Sequence, residues 1–147
     1  MQEAFAGRPQ SERIAVSKRT KTILLVEDEP IVRSLLREVL ERAGYQVLAC
    51  ERPEDGIAEC RSHIGKIDLL LTDVVMPGMN GKEMASHILE MMPELSVIFM
   101  SGYTEHVLVN DGILDAKIEY LQKPFSLQTL RQRLERVLST QPAQPLQ

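Results

Sequence analysis

Four short stretches each end an apolar run with residues able to share one small site. They are Leu25-Val26-Glu27-Asp28-Glu29-Pro30, Leu70-Leu71-Thr72-Asp73-Val74-Val75-Met76-Pro77-Gly78, Phe99-Met100-Ser101-Gly102 and Leu121-Gln122-Lys123-Pro124-Phe125. Each polar residue falls where a strand would stop, which in a parallel α/β sheet is the carboxyl edge, where ligands bind. Glu27, Asp28 and Asp73 gathered there would raise one another's pKa and cost stability unless neutralised. A hard divalent cation such as Mg2+ suits that oxygen set, taking one or two carboxylates beside phosphate oxygens. Asp73 ends the most hydrophobic run, so its carboxylate should be rigidly held, as a nucleophile forming an acyl phosphate must be. Lys123 offers a point charge for phosphoryl oxygens, Ser101 a hydroxyl donor, and Gly102 backbone room beside it. Phosphoryl transfer needs mostly positioning and charge neutralisation, so this small set could suffice. Lys123 precedes Pro124, whose peptide bond has only a weak trans preference, and sequence leaves the isomer open.

The elements that must carry these residues are legible in the hydrophobic pattern. Thr22–Val26 is a continuous apolar run, as a strand buried on both faces requires. Pro30 can open a helix in which Val32, Leu35, Leu36, Val39 and Leu40 recur at helical spacing, and Gly44 ends it. Tyr45–Cys50 reads as a second strand, Pro53–His63 as a more polar helix and Ile67–Asp73 as the central strand. Gly81–Met92 reads as a helix with Met84, Ile88, Leu89 and Met92 inward, and Leu95–Met100 as a fourth strand. Tyr103–Asn110 suggests a short helix and Lys117–Leu121 a fifth strand. Ser126 then caps a last helix with Leu127, Leu130, Leu134, Val137 and Leu138 on one face. Five strands alternating with five helices predict an α/β doubly wound parallel sheet with right-handed crossovers. Residues 1–20 read as a flexible leader or linker, 21–139 as the folded domain, and the Gln- and Pro-rich residues 140–147 as a disordered tail.

Composition narrows the function classes. With 147 residues, 44% of them hydrophobic, the chain fits one domain with a real core. A net charge of −4 and a pI near 5.4 predict no general attraction to nucleic acid or anionic membrane. Cys50 and Cys60 are too few and too irregularly placed for a disulfide framework or zinc site, and read as reduced, partly buried thiols. No run approaches the length of a bilayer span, nor does the N-terminus carry a signal-type stretch, so a cytoplasmic protein is expected. His63, His87 and His106 read as surface residues, the methionines as packing, and Arg131, Arg133 and Arg136 as a solvated helix face.

With these motifs in order, residues from about Thr22 to Leu138 resemble the receiver domain of two-component response regulators, the chemotaxis-type fold. The resemblance implies a flavodoxin-like strand order 2-1-3-4-5. It implies that Asp73 is phosphorylated, that Glu27 and Asp28 are the acidic pair with Asp28 a direct Mg2+ ligand, and that the Val75 backbone carbonyl is a further ligand. Ser101 matches the switch hydroxyl, Lys123 the phosphate-binding lysine, and Tyr120 the aromatic that turns inward on activation. The implied donor is a phosphohistidine on a histidine kinase or phosphotransfer protein. The downstream target is left unknown, and monomer or weak homodimer left open.

Val75 and Tyr103 occupy the two positions that tune phosphoryl lifetime in such proteins. Neither offers an amide or carboxylate to orient water, so slow self-dephosphorylation is expected. Kinase docking is expected on the first helix, where Ile31 lies just off the apolar stripe, and on the Lys123-Pro124-Phe125 loop. No output domain is expected after Leu138, and the chain reads as a stand-alone receiver or one separated from a hybrid kinase. The Phe99-Met100-Ser101-Gly102-Tyr103-Thr104-Glu105 stretch is similar to hybrid-kinase receivers. Beyond its own phosphorylation and slow dephosphorylation, no enzyme activity is expected. Two alternatives remain: a phosphorylation-independent scaffold, and a Mg2+-dependent phosphohydrolase, which would need an acid where Val75 stands.

Overall fold

The computed structural model describes residues 20–102 and 118–139. Thr22–Val26 forms β1 with all five residues buried. Then come α1 (Pro30–Arg42), β2 (Gln46–Cys50), α2 (Pro53–Ser62), β3 (Leu69–Asp73), α3 (Gly81–Met91), β4 (Ser96–Ser101), β5 (Ile118–Gln122) and α4 (Leu127–Ser139). The strands form one sheet in the order β2-β1-β3-β4-β5, every neighbouring pair parallel. That matches the expected topology. Four helices, not five, stand among the described residues; the expected Tyr103–Asn110 helix lies outside them, as do residues 1–19 and 140–147.

Helices on both faces explain why the strands read as unbroken apolar runs rather than alternating ones. Leu24, Val26, Leu70, Val97 and Phe99 face one core with Ile57 and Cys60 of α2 and Met84, Ala85 and Ile88 of α3. Ile23, Leu25, Leu69, Leu71, Ile98 and Met100 face the other with Leu36 and Leu40 of α1 and Leu130, Leu134, Val137 and Leu138 of α4. Most of these strand residues have no exposed surface, and burying each leucine contributes about 1.5–3 kcal/mol relative to leaving it in water. Cys50 and Cys60 belong to the first core as free thiols, more deeply buried than expected, and burial pushes them up to about 12 and about 11.

Helix ends follow local chemistry. Pro30 occupies the first turn of α1. At its end the Gly44 N–H donates to Glu41 O and the Tyr45 N–H to Leu40 O, with Gly44 at φ 104°. This is a Schellman closure, and it needs the left-handed conformation glycine adopts without strain. Asn80 and Glu83 form a reciprocal capping box at the start of α3. The Ser126 hydroxyl accepts from Thr129 N–H at 3.0 Å, capping α4 as expected.

Three side-chain expectations fail. Leu35 is 51% exposed because it lies about 100° round α1 from Leu36, beyond the arc the sheet covers. Leu127 is 42% exposed and lines a gap of about 230 Å³ between α1 and α4 with Val39, Arg42, Ala43 and Arg131. Arg133 and Arg136 are not simply a solvated face. Arg133 Nη1 donates to Tyr120 O at 2.9 Å, and Arg136 Nη2 meets both Glu119 carboxylate oxygens at 2.6 and 2.8 Å. These pairs fasten α4 to β5 across 13 and 17 residues of chain, a separation that helical periodicity cannot report.

The start of α3 is pressed against the end of β3. Gly81 N–H donates to Val74 O at 2.6 Å, and a Cβ at Gly81 would overlap the Asp73 carbonyl oxygen. Gly81→Ala should therefore cost about 1–3 kcal/mol of unfolding free energy, as overpacking does. Ser86→Ala on the exposed face of the same helix should change it by less than about 0.5 kcal/mol. Urea unfolding of the two variants tests this; equal stabilities would show that the contact relaxes freely.

Candidate functional site

The sheet register gathers the four motifs. Val26 pairs with Thr72, Asp73 with Met100, and Ser101 with Gln122, so the strand ends fall side by side. The Lys123 N–H carries the ladder one step further by donating to Ser101 O at 2.8 Å. Glu27, Asp28 and Asp73 each present a carboxylate oxygen, all within 4.8 Å of one another. Lys123 Nζ lies 2.6 Å from Asp73 Oδ1 and 3.9 Å from Glu27 Oε1. The Lys123–Pro124 peptide bond is cis.

Burial divides these residues. Glu27, Asp73 and Ser101 are buried, Asp28 is half-buried, and Lys123 keeps part of its side chain in water. Burial pushes the Glu27 carboxyl up to about 8, and the facing Asp73 carboxylate adds to the rise through hydrogen bonding and repulsion. The Glu29 N–H, which donates to Glu27 Oε2 at 3.1 Å, and the Lys123 ammonium pull the other way without offsetting it. Glu27 Oε1, Asp73 Oδ1 and Ser101 Oγ are buried and receive no aligned hydrogen bond. The contact of Lys123 with Asp73 is thus an ion pair of close charges rather than a directed bond.

Such a donor set fits a divalent cation. Three hard oxygens converge, two buried ones lack donors, and one acid is held too high to ionise readily unless positive charge is added. Two apolar gaps among the described residues are lined by none of Glu27, Asp28 and Asp73. The larger, about 330 Å³, opens at the opposite edge of the sheet, lined by Ile64, Ile67, Asp68, Met91, Met92 and Leu95 among others.

The remaining expected site residues are placed as follows. The Val75 side chain is 51% exposed just past Asp73. Tyr120 is half-buried, its ring stacked on Phe99 with centroids 5.6 Å apart. Phe99 and Ser101 lie two apart on β4, so they share a sheet face, and Phe99 pairs with Tyr120 in register. Tyr103 lies outside the described residues. His63 is half-buried, its Nδ1 2.9 Å from Glu59 O, while His87 is exposed; neither touches the acids.

Sequence reasoning missed three supports. The Asn80–Glu83 capping box was visible as Asn-x-x-Glu before an apolar stripe. Gly81 was visible only as a glycine opening a helix; what demands it is the Asp73 backbone. Arg33, whose guanidinium bonds Glu27 O at 2.8 Å, carried no signal beyond being a charged helix residue.

The sequence profile described as response regulator receiver domain matches residues 23–135. The chain is 35% identical over 118 residues to the response regulator receiver protein CpdR of Brucella abortus, covering 80% of this chain and 97% of that one. It is 34% identical over 120 residues to the sensor kinase CckA of the same organism, covering 82% of this chain but only 13% of the kinase. Among solved structures, the receiver domain from hybrid histidine kinase CckA superposes with a TM-score of 0.69 at 30% identity, covering 80% of this chain and 98% of that one. A two-component AraC-type transcriptional regulator from Clostridium phytofermentans gives a TM-score of 0.77 at 30% identity, covering 87% of this chain and 100% of that one.

The acid cluster makes stability depend on pH. Glu27 rises from 4.5 to about 8 on folding, so between those values the folded state holds more protons than the unfolded one. The stability this contributes is complete below about pH 4.5 and is lost as pH rises toward 8. Metal-free protein should therefore unfold at lower urea at pH 8 than at pH 6, and Glu27→Gln should flatten that difference. Saturating Mg2+ should also flatten it, because a bound cation favours the ionised carboxylate. Wild type and Glu27→Gln with the same pH profile in chelator would contradict the placement of Glu27.

Proposed function

This chain belongs to the response regulator receiver domain family, and on that premise we propose that it accepts a phosphoryl group from a phosphohistidine onto Asp73. An Asp73 carboxylate oxygen attacks phosphorus, the P–O bond forms, and the P–N bond to the donor histidine breaks. The imidazole leaves with the bonding electron pair and takes up a proton. The observation that carries this reading is Asp73 Oδ1, buried on a rigid strand end, without an aligned hydrogen bond and 2.6 Å from Lys123 Nζ. Bound by Glu27, Asp28, Asp73 and the Val75 carbonyl, Mg2+ would offset the charge of the acids and of the incoming phosphoryl group. Lys123 pairs with the phosphoryl oxygens once Asp73 is an acyl phosphate, and Ser101 turns its unpartnered hydroxyl toward them.

The working unit in this reading is residues 21–139, and its output is a population shift rather than turnover of a separate substrate. Movement of Ser101 frees space on the sheet face that Tyr120 shares, and the surface around β5 and α4 changes with it. That surface is also the place for a weak homodimer. Ile31 is 81% exposed and Leu35, one helical turn on, 51% exposed, which gives α1 an apolar strip beside the acids. With Pro124 and Phe125 this strip suits docking of a histidine kinase or phosphotransfer protein, so an exposed Leu35 adds to what Ile31 offers. A cytoplasmic location agrees with two unpaired cysteines and with the absence, among the described residues, of any helix able to cross a membrane.

Incubation with Mg2+ and acetyl phosphate should add one phosphoryl group by intact mass, and Asp73→Asn or excess EDTA should abolish it. A wild-type chain that binds Mg2+ but gains no adduct, even in rapid quench, would favour a phosphorylation-independent scaffold.

Phosphoryl lifetime provides a separate check. Val75→Asn with Tyr103→Glu should shorten it roughly tenfold, a modest part of what orienting a reactant can contribute. Decay followed by mass after donor removal measures it, and an unchanged lifetime would remove these two positions from the account.

A further inference from the structure

Glu27 is held at three points, and one of them comes from a residue outside the site. Its N–H donates to Cys50 O at 3.1 Å, the last step of the ladder between β1 and β2. Its carboxylate Oε2 accepts from Glu29 N–H at 3.1 Å. Its carbonyl follows the last residue of β1. A carbonyl at so buried a residue must still find a donor. Arg33, one turn into α1, reaches back across six residues and donates Nη1 to Glu27 O at 2.8 Å. Arg33 is half-buried over this contact.

We propose that Arg33 is a positioning residue for the cation site, fixing the Glu27-Asp28 turn so that both carboxylates converge on Asp73. This rests on the divalent-cation reading above. The alternatives differ in sign. A guanidinium acting only through its charge opposes a cation bound nearby, so its removal would tighten divalent binding. A guanidinium that fixes the turn does the reverse, because its removal lets Glu27 and Asp28 leave the converged geometry. Loss of a partner that orients a metal ligand typically weakens binding 10–100-fold.

Titration calorimetry of the whole chain with Mn2+ as the probe separates these cases. Arg33→Ala should weaken Mn2+ binding about tenfold or more. Arg37→Ala, which removes the same charge from the same helix where it pairs with exposed Glu41, should stay within about twofold. Arg33→Lys keeps a donor but not the planar fork, and should fall between the two. It also keeps the test decisive should the alanine variant fail to fold. In the metal-free chain, amide exchange at Glu29, whose N–H bonds Glu27 Oε2, should quicken in Arg33→Ala more than at α3. Arg33 variants that bind Mn2+ as tightly as wild type, or more tightly, would overturn the positioning role. A wild type that takes up no Mn2+ would instead overturn the cation reading itself.

Discussion

Three carboxylates with oxygens inside 4.8 Å, two of them buried, are an arrangement that folding alone does not favour. Each buried charge loses water, and each repels its neighbours. The cluster persists because one ammonium sits 2.6 Å from Asp73 and because the strand ends around it are fixed by packing remote from the charges. Even so the compensation is incomplete: Glu27 is held near 8, and two carboxylate oxygens lack donors. That remaining deficit is one of positive charge, which a divalent cation can supply. The burial that destabilises the acids is also what makes their oxygen set fit a cation.

The fold tolerates this strain by making the sheet almost entirely apolar on both faces. Ile23, Leu24, Leu25, Leu69, Leu70 and Leu71 have no exposed surface, so β1 and β3 cannot shift to relieve repulsion at their ends without opening two cores at once. Backbone contacts tighten the frame further. Gly81 lets α3 begin against the Asp73 carbonyl, and the Asn80–Glu83 box satisfies the amides of the helix start so closely packed there. Arg33 gives the Glu27 carbonyl, just past the end of β1, the donor that a strand N–H gives carbonyls within the sheet. Rigidity around Asp73 is therefore a property of its neighbours' packing, not of the residue.

Electrostatic and apolar features are segregated in a way that suits a switch. Charge is concentrated at the carboxyl edge, with Ile31 and Leu35 exposed on the adjoining helix. At the β5 edge of the sheet, Arg133 and Arg136 fasten α4 to β5 through Tyr120 O and Glu119. The strand bearing Tyr120 is thereby tied to the last helix by its main chain, while the Tyr120 ring stacks on Phe99. Rearranging that ring leaves the main-chain tie intact, so a local change can alter the surface without loosening the core.

Much of this was legible in the chain itself. Period and run length fix where strands and helices fall, and buried parallel strands announce themselves as unbroken apolar runs. The acids, Ser101 and Lys123 each stand where such a run stops, so the chain alone groups Glu27, Asp28, Asp73 and Lys123. Tertiary structure alone decided what depends on contacts between distant residues. Leu35 faces water because the sheet spans only part of the arc its helix presents. Gly81 is required by a carbonyl eight residues earlier, and Arg133 and Arg136 find partners on another element. The raised pKa of Glu27 arises from burial and from Asp73, neither of which local spacing encodes. Sequence records which groups a strand delivers to an edge; desolvation, hydrogen-bond direction and close approach exist only once the edges meet.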